Sequence, residues 1–140
     1  MKMKTAALFA LLALAGCDQQ ASGPSQASIQ ALQAKGKLAL ADGSTLLLNA
    51  AHLKSYAKPN NAGKLSMHEF SYSSVDKMAE NDVYMHMQKV GYTRKVISSD
   101  SNQFKVQYYK KNAPVVGGIY TMLNHDAKTE TVATLYWQEK

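Results

Sequence analysis

From Tyr92 to Gln138 the chain is a succession of four runs rich in aromatic and β-branched residues: Tyr92–Ser98, Gln103–Lys111, Val115–Asn124 and Thr129–Gln138. The separators are Ser99-Asp100-Ser101-Asn102, Asn112-Ala113-Pro114 and His125-Asp126-Ala127-Lys128. Connections this short join neighbouring antiparallel strands, because a parallel crossover needs a dozen residues or more. Phe104, Val106 and Tyr108 alternate with Lys105 and Gln107. Such alternation gives one covered face and one wet face. Gly117-Gly118 inside the third run predicts a bulge or a close backbone approach.

A sheet with one apolar face needs a cover. The segment Ser74–Val90 predicts a helix, with Val75, Ala79, Val83, Met87 and Val90 in one stripe. Ser73 is placed to cap it, Asp76 suits the first turn, and Gly91 follows as a stop. Asn81 and Asp82 weaken the helical pattern, and Val83–Met87 also has strand content. Met78, Met85 and Met87 are expected to fill the core, and Trp137 to seal the sheet against the helix.

Further upstream, Leu65–Tyr72 has strand-like content, and Lys58–Gly63 is a loop by its turn residues. Ala41-Asp42-Gly43-Ser44 lies between Leu38-Ala39-Leu40 and Thr45–Leu48, a hairpin signal. Thr45–Ala57 can also be drawn as a helix with Leu46, Ala50, Leu53 and Ala57 aligned, and period alone leaves both open. The predicted fold class is α+β: an antiparallel sheet of four or more strands packed on one main helix, after a disordered N-terminal tether.

The N-terminus carries an address. Lys2 and Lys4 precede Ala6–Leu14, an uncharged apolar run of nine residues. A membrane-spanning helix needs about 20. A basic start, a short apolar core and small residues describe a secretory signal. Leu14-Ala15-Gly16-Cys17 closes the run and resembles the lipobox of bacterial lipoproteins. The resemblance implies diacylglyceryl transfer to the Cys17 sulfur, cleavage between Gly16 and Cys17, and acylation of the new amine. The bilayer, reached through acylated Cys17, is then the first partner. At about 0.8 kcal/mol per buried methylene, two or three chains make a durable anchor. Asp18 and Gln19 follow, and an aspartate there resembles an inner-membrane retention signal. The expected location is the periplasmic side of a bacterial membrane, inner rather than outer.

The expected organisation is a removed signal at 1–16, a lipidated cysteine and flexible linker at 17–36, and one globular domain at 37–140. Asp18–Gln26, DQQASGPSQ, is too small and polar to order itself, and Ser28–Ala34 has the content for a helical turn. Removing residues 1–16 from the 140 leaves 124, enough for one domain. It also takes Lys2 and Lys4 from the 16 basic side chains, leaving 14 against 10 acidic ones, a net charge of +4. That mild, dispersed charge makes nucleic acid a poor partner. Cys17 is the only cysteine, so disulfides within the chain and thiolate metal sites are excluded by count.

Catalytic patterns are missing. His52, His68, His86 and His125 form no HxH or HExxH pair, so no metal or other cofactor is expected. Gly63-Lys64-Leu65-Ser66 fails as a phosphate-binding loop, because Lys58 and Leu65 stand where Gly and Ser or Thr belong. No serine sits in a GxSxG elbow. Glu69 and Asp82 could meet in space, and Glu69 and His125 are the only residues a small envelope hydrolase could use. The eight tyrosines are more suggestive. Tyr109 should face outward with Lys105, near Arg94, Lys95 and Lys111, as a partner-binding face of the kind tyrosine favours. The expected function is therefore a non-enzymatic periplasmic binding lipoprotein of the inhibitor or immunity type. An accessory subunit of an envelope secretion or conjugation machine is the alternative. The oligomeric state is open.

Overall fold

A computed structural model describes residues 36–125 and 127–139. The apolar run, the box ending at Cys17, Asp18, Gln19, the turn expected at Ser28–Ala34 and the linker as far as residue 35 lie outside the described residues; Gly36, expected to end the linker, begins a strand.

The architecture is α+β. A two-stranded hairpin, β1 (Gly36–Ala39) and β2 (Thr45–Leu48), precedes β3 (Ala51–Asn60) and β4 (Gly63–Tyr72). One helix among the described residues, α1 (Asp76–Lys89), leads to β5 (Thr93–Ser99), β6 (Gln103–Tyr109), β7 (Val116–His125) and β8 (Lys128–Gln138). Strands β3 to β8 form one six-stranded antiparallel sheet in the order β3-β4-β8-β7-β6-β5.

The Asp-Gly signal does form the hairpin. Leu40 N–H donates to Ser44 O at 2.8 Å, and Gly43 takes φ 93°, a region that glycine enters without steric penalty. Leu38, Leu40, Leu46 and Leu48 all point inward. The helical reading of Thr45–Ala57 is overturned, since those residues belong to β2 and β3. Strand β3 replaces part of the expected loop at Lys58–Gly63, whose turn is only Asn61-Ala62.

One cluster of buried side chains holds the hairpin leucines, Phe70 and Tyr72 of β4, Ala79, Val83 and Met87 of α1, and Phe104, Val106, Tyr108, Tyr120, Ala133 and Leu135 of the sheet. Two expectations about the helix need correction. Its N-cap is the exposed Val75, with no side-chain cap, rather than Ser73. Asp76 instead accepts the Lys77 N–H at 2.7 Å, and Thr131 Oγ1 donates to Ser74 O at 2.6 Å, pinning the entry. Of the methionines only Met87 is core; Met78 and Met85 are 65% and 50% exposed. Trp137 is buried in the same cluster as Ala79, Val83 and Met87, and it stacks on His68 of β4.

Gly117-Gly118 is a close approach rather than a bulge, because the β7–β8 register runs through it unbroken. A Cβ at Gly117 would lie 2.6 Å from Tyr136 Cε1, so the ring lies across bare backbone. The bulges fall on the two edge strands instead, at Leu53 of β3 and Ile97 of β5. An irregular edge resists pairing with another chain.

Candidate functional site

The register separates the two faces of the sheet. Phe104, Val106 and Tyr108 turn to the core, so Gln103, Lys105, Gln107 and Tyr109 turn outward. Lys105 pairs with Ile119, Gln107 with Gly117, and Lys95 with Gln107. Ile119 pairs with Thr134, Gly117 with Tyr136, and Tyr136 with Met67, which pairs with Tyr56. The outward face thus has a centre of half-buried Tyr136, Ile119 and Tyr109 around the buried Met67. Tyr109 is held there by a hydrogen bond from its hydroxyl to Gln107.

Lysines flank this centre on both sides. On the β3 edge, Lys54 lies 4.0 Å from Glu69 and 5.1 Å from the Tyr56 ring centroid, and the Tyr56 hydroxyl donates to Glu69 at 2.9 Å. On the other edge Lys95 and Lys105 are exposed, and neither has a carboxylate partner among the described residues.

Of the five residues expected to form one face, Lys95, Lys105 and Tyr109 come together on it. Arg94 does not. Adjacent strand residues point to opposite faces, and Arg94 turns inward to Glu80, 2.8 Å away. Lys111 lies beyond the end of β6, in the turn before Asn112. Glu69 and Asp82 do not meet either. Glu69 is on the outward face, while Asp82 accepts from the Tyr72 hydroxyl on the core side at 2.7 Å. The Asn49 side chain and backbone N–H also donate to Asp82, tying the end of the hairpin to the helix. His125 closes β7 opposite Lys128, and its side chain is outside the described set.

Two polar clusters on the core side escaped the sequence reading. Glu80 is 1% exposed, receives Arg94 and the Tyr108 hydroxyl (3.1 Å), and Tyr108 lies 2.6 Å from the Tyr120 hydroxyl. Burial holds the Glu80 carboxyl above its ordinary value, against the pull of Arg94 and Tyr108. No spacing in the sequence signals this contact, since helix and strand residues meet only through the fold.

The second cluster is at the β3–β4 end. The Ser55 hydroxyl lies 2.8 Å from His52 Nε2 and 2.7 Å from His68 Nδ1, and Ser66 Oγ lies 2.8 Å from His68 Nε2. Burial first, and His52 second, hold His68 below its ordinary value, with Glu139 opposing. Among the described residues, no group of three or more His, Cys, Asp or Glu side chains is arranged to hold a metal.

A pocket of about 390 Å³ beside Trp137 is lined by Asp42, Asn112, Pro114 and Glu139 among others. Its Asp42 is engaged by Lys110 at 2.6 Å, so it brings no free acid and base together. No helix among the described residues is long and apolar enough to cross a membrane. No family model matches this chain, and no curated protein or solved structure is significantly similar to it.

Proposed function

We propose that the chain is a lipid-anchored, non-enzymatic envelope protein of the inhibitor or immunity type. It binds one protein partner through the outward face of its six-stranded sheet. Cys17 carries the lipid, and Asp18 holds the molecule at the periplasmic face of the inner membrane. In this reading α1 and the hairpin cover one side of the sheet and leave the other for the partner.

The supporting observation is the chemistry of that face. Tyr136, Tyr109 and Ile119 make an apolar and aromatic centre around the buried Met67, and Lys95 and Lys105 stand beside it with no carboxylate partner among the described residues. Aromatic centres with charged rims suit protein recognition. Exposed lysines without a carboxylate partner among the described residues suit an acidic partner surface. The hydrolase reading has little support, because Glu69 is committed to Tyr56 and Lys54.

The test is to produce the chain in the envelope and challenge the cells with toxins encoded beside its gene. Protection, with a one-to-one complex recovered after mild solubilisation, supports the reading. Absence of both protection and complex rejects it. The accessory-subunit reading draws on a different observation: Val75 at the N-cap of α1 and Met78 and Met85 within it are exposed apolar residues. That second surface would suit a component held by two neighbours, and recovery within a multi-subunit assembly would favour it.

A further inference from the structure

We propose that His52 and His68 form a binding site for a borderline divalent cation, Cu²⁺ or Zn²⁺, on the core-side face of the β3–β4 ribbon. This goes beyond the binding role above and does not depend on it.

The site is a product of the bulge at Leu53. In a regular strand, residues three apart point to opposite faces. The register shift between His52 and Lys54 inserts one extra residue, which is how a bulge re-aims a side chain. His52 and Ser55 therefore share a face, and Ser55 pairs directly with His68 on β4. His52 Nε2 and His68 Nδ1 converge on one point, occupied by the Ser55 hydroxyl at 2.8 Å and 2.7 Å.

That arrangement suits a metal. Imidazole nitrogens bind Cu²⁺ and Zn²⁺ at about 2.0–2.1 Å. Turning the Ser55 hydroxyl about its one side-chain torsion frees both lone pairs for a cation between the rings. The hydroxyl, or water, can supply oxygen ligands in the remaining positions. Metal-bound imidazoles are oriented by a hydrogen bond from the other ring nitrogen. Here Ser66 Oγ is already 2.8 Å from His68 Nε2. The ring planes are also held. His68 stacks on Trp137 with centroids 4.8 Å apart, and His52 tilts against Phe70 at 5.3 Å. His52 and Ser55 are exposed, so the cation enters from solvent, and Glu139 is close enough to act electrostatically on His68. With only two imidazoles, the bound ion exchanges readily and keeps water in its shell.

Trp137 is the only tryptophan of the chain and is stacked on His68, so it reports the site directly. Cu²⁺ titrated into the purified full chain in detergent should quench its emission saturably, with one ion per chain. Zn²⁺ should compete and restore the emission. His52→Ala and His68→Ala should each weaken binding by at least about tenfold, whereas His86→Ala and His125→Ala should leave it unchanged. Circular dichroism checks the fold of each variant. Should His68→Ala unfold, the exposed His52→Ala decides alone. Quenching that does not saturate, or that survives His52→Ala, or that vanishes in His86→Ala or His125→Ala, overturns the site.

Discussion

Arg94 Nη1 lies 2.8 Å from Glu80 Oε2, and the Glu80 side chain is only 2% exposed. The pair fastens α1 to β5, and the Tyr108 hydroxyl supplies a second donor. Arg94 also lies over the Tyr84 ring at 4.2 Å. Removing the cation strands a buried carboxylate. Arg94→Ala should therefore destabilise the domain by about 2–4 kcal/mol, the lower part of the range reflecting an arginine one third exposed. Urea unfolding measures this, and an unchanged midpoint would contradict it.

The same carboxyl predicts a pH signature. Burial raises Glu80 above 4.5 in the folded chain despite Arg94 and Tyr108. The native state thus binds a proton at a higher pH than the unfolded state does. Stability from this group is fully present below about 4.5 and is lost as pH rises through the folded value. Glu80→Gln removes that titration while keeping an acceptor for Arg94. The mutant should lose this slope of stability against pH, read by unfolding at several pH values.

Gly117→Ala tests the crossing of Tyr136 over bare backbone. The new methyl would meet the phenol ring, and overpacking of this kind costs about 1–3 kcal/mol. Adding Tyr136→Ala should relieve the clash, so the two substitutions together should be less damaging than their sum. Simple additivity in thermal unfolding would show that the ring is not held there.

Asp42 predicts a weaker, acid-side effect. Burial pushes its carboxyl up, but hydrogen bonds from Lys110 and Ser44 outweigh this and bring it down to about 2. Its contribution is present above the unfolded value of 3.8 and is lost as pH falls through about 2. Lys110→Ala should move the Asp42 resonance titration upward while changing stability by less than about 1 kcal/mol. A titration unmoved by Lys110→Ala would remove the pair from the account.

The proposed partner face makes its own prediction. Lys105→Glu and Lys95→Glu should weaken the complex and reduce its salt sensitivity while leaving the midpoint of unfolding unchanged. Cys17→Ala should leave the domain folded and move it from the membrane fraction to the soluble one. Retention of that variant in the membrane would remove the anchor.

Much of the sheet was legible because alternation records which face is wet. Gln103–Tyr109 and Lys128–Gln138 show it clearly, and their short turns dictate the pairing. Strand β3 was hidden for the same reason. All ten of its residues are exposed, so hydrophobicity does not alternate along it. The bulge at Leu53 breaks the two-residue period between His52 and Ser55, and Arg94 and Lys95, adjacent in one strand, point to opposite faces.

Local sequence sets the turn at Asp42-Gly43, the alternating strands and the helical stripe from Ala79 to Met87. Each follows from interactions between residues near one another in the chain. Which distant groups meet is settled by packing: Glu80 with Arg94, Asn49 with Asp82, and His52 with His68 through Ser55. Those contacts depend on strand order, register and one inserted residue. They arise from packing the whole sheet at once, and no short stretch of sequence encodes them.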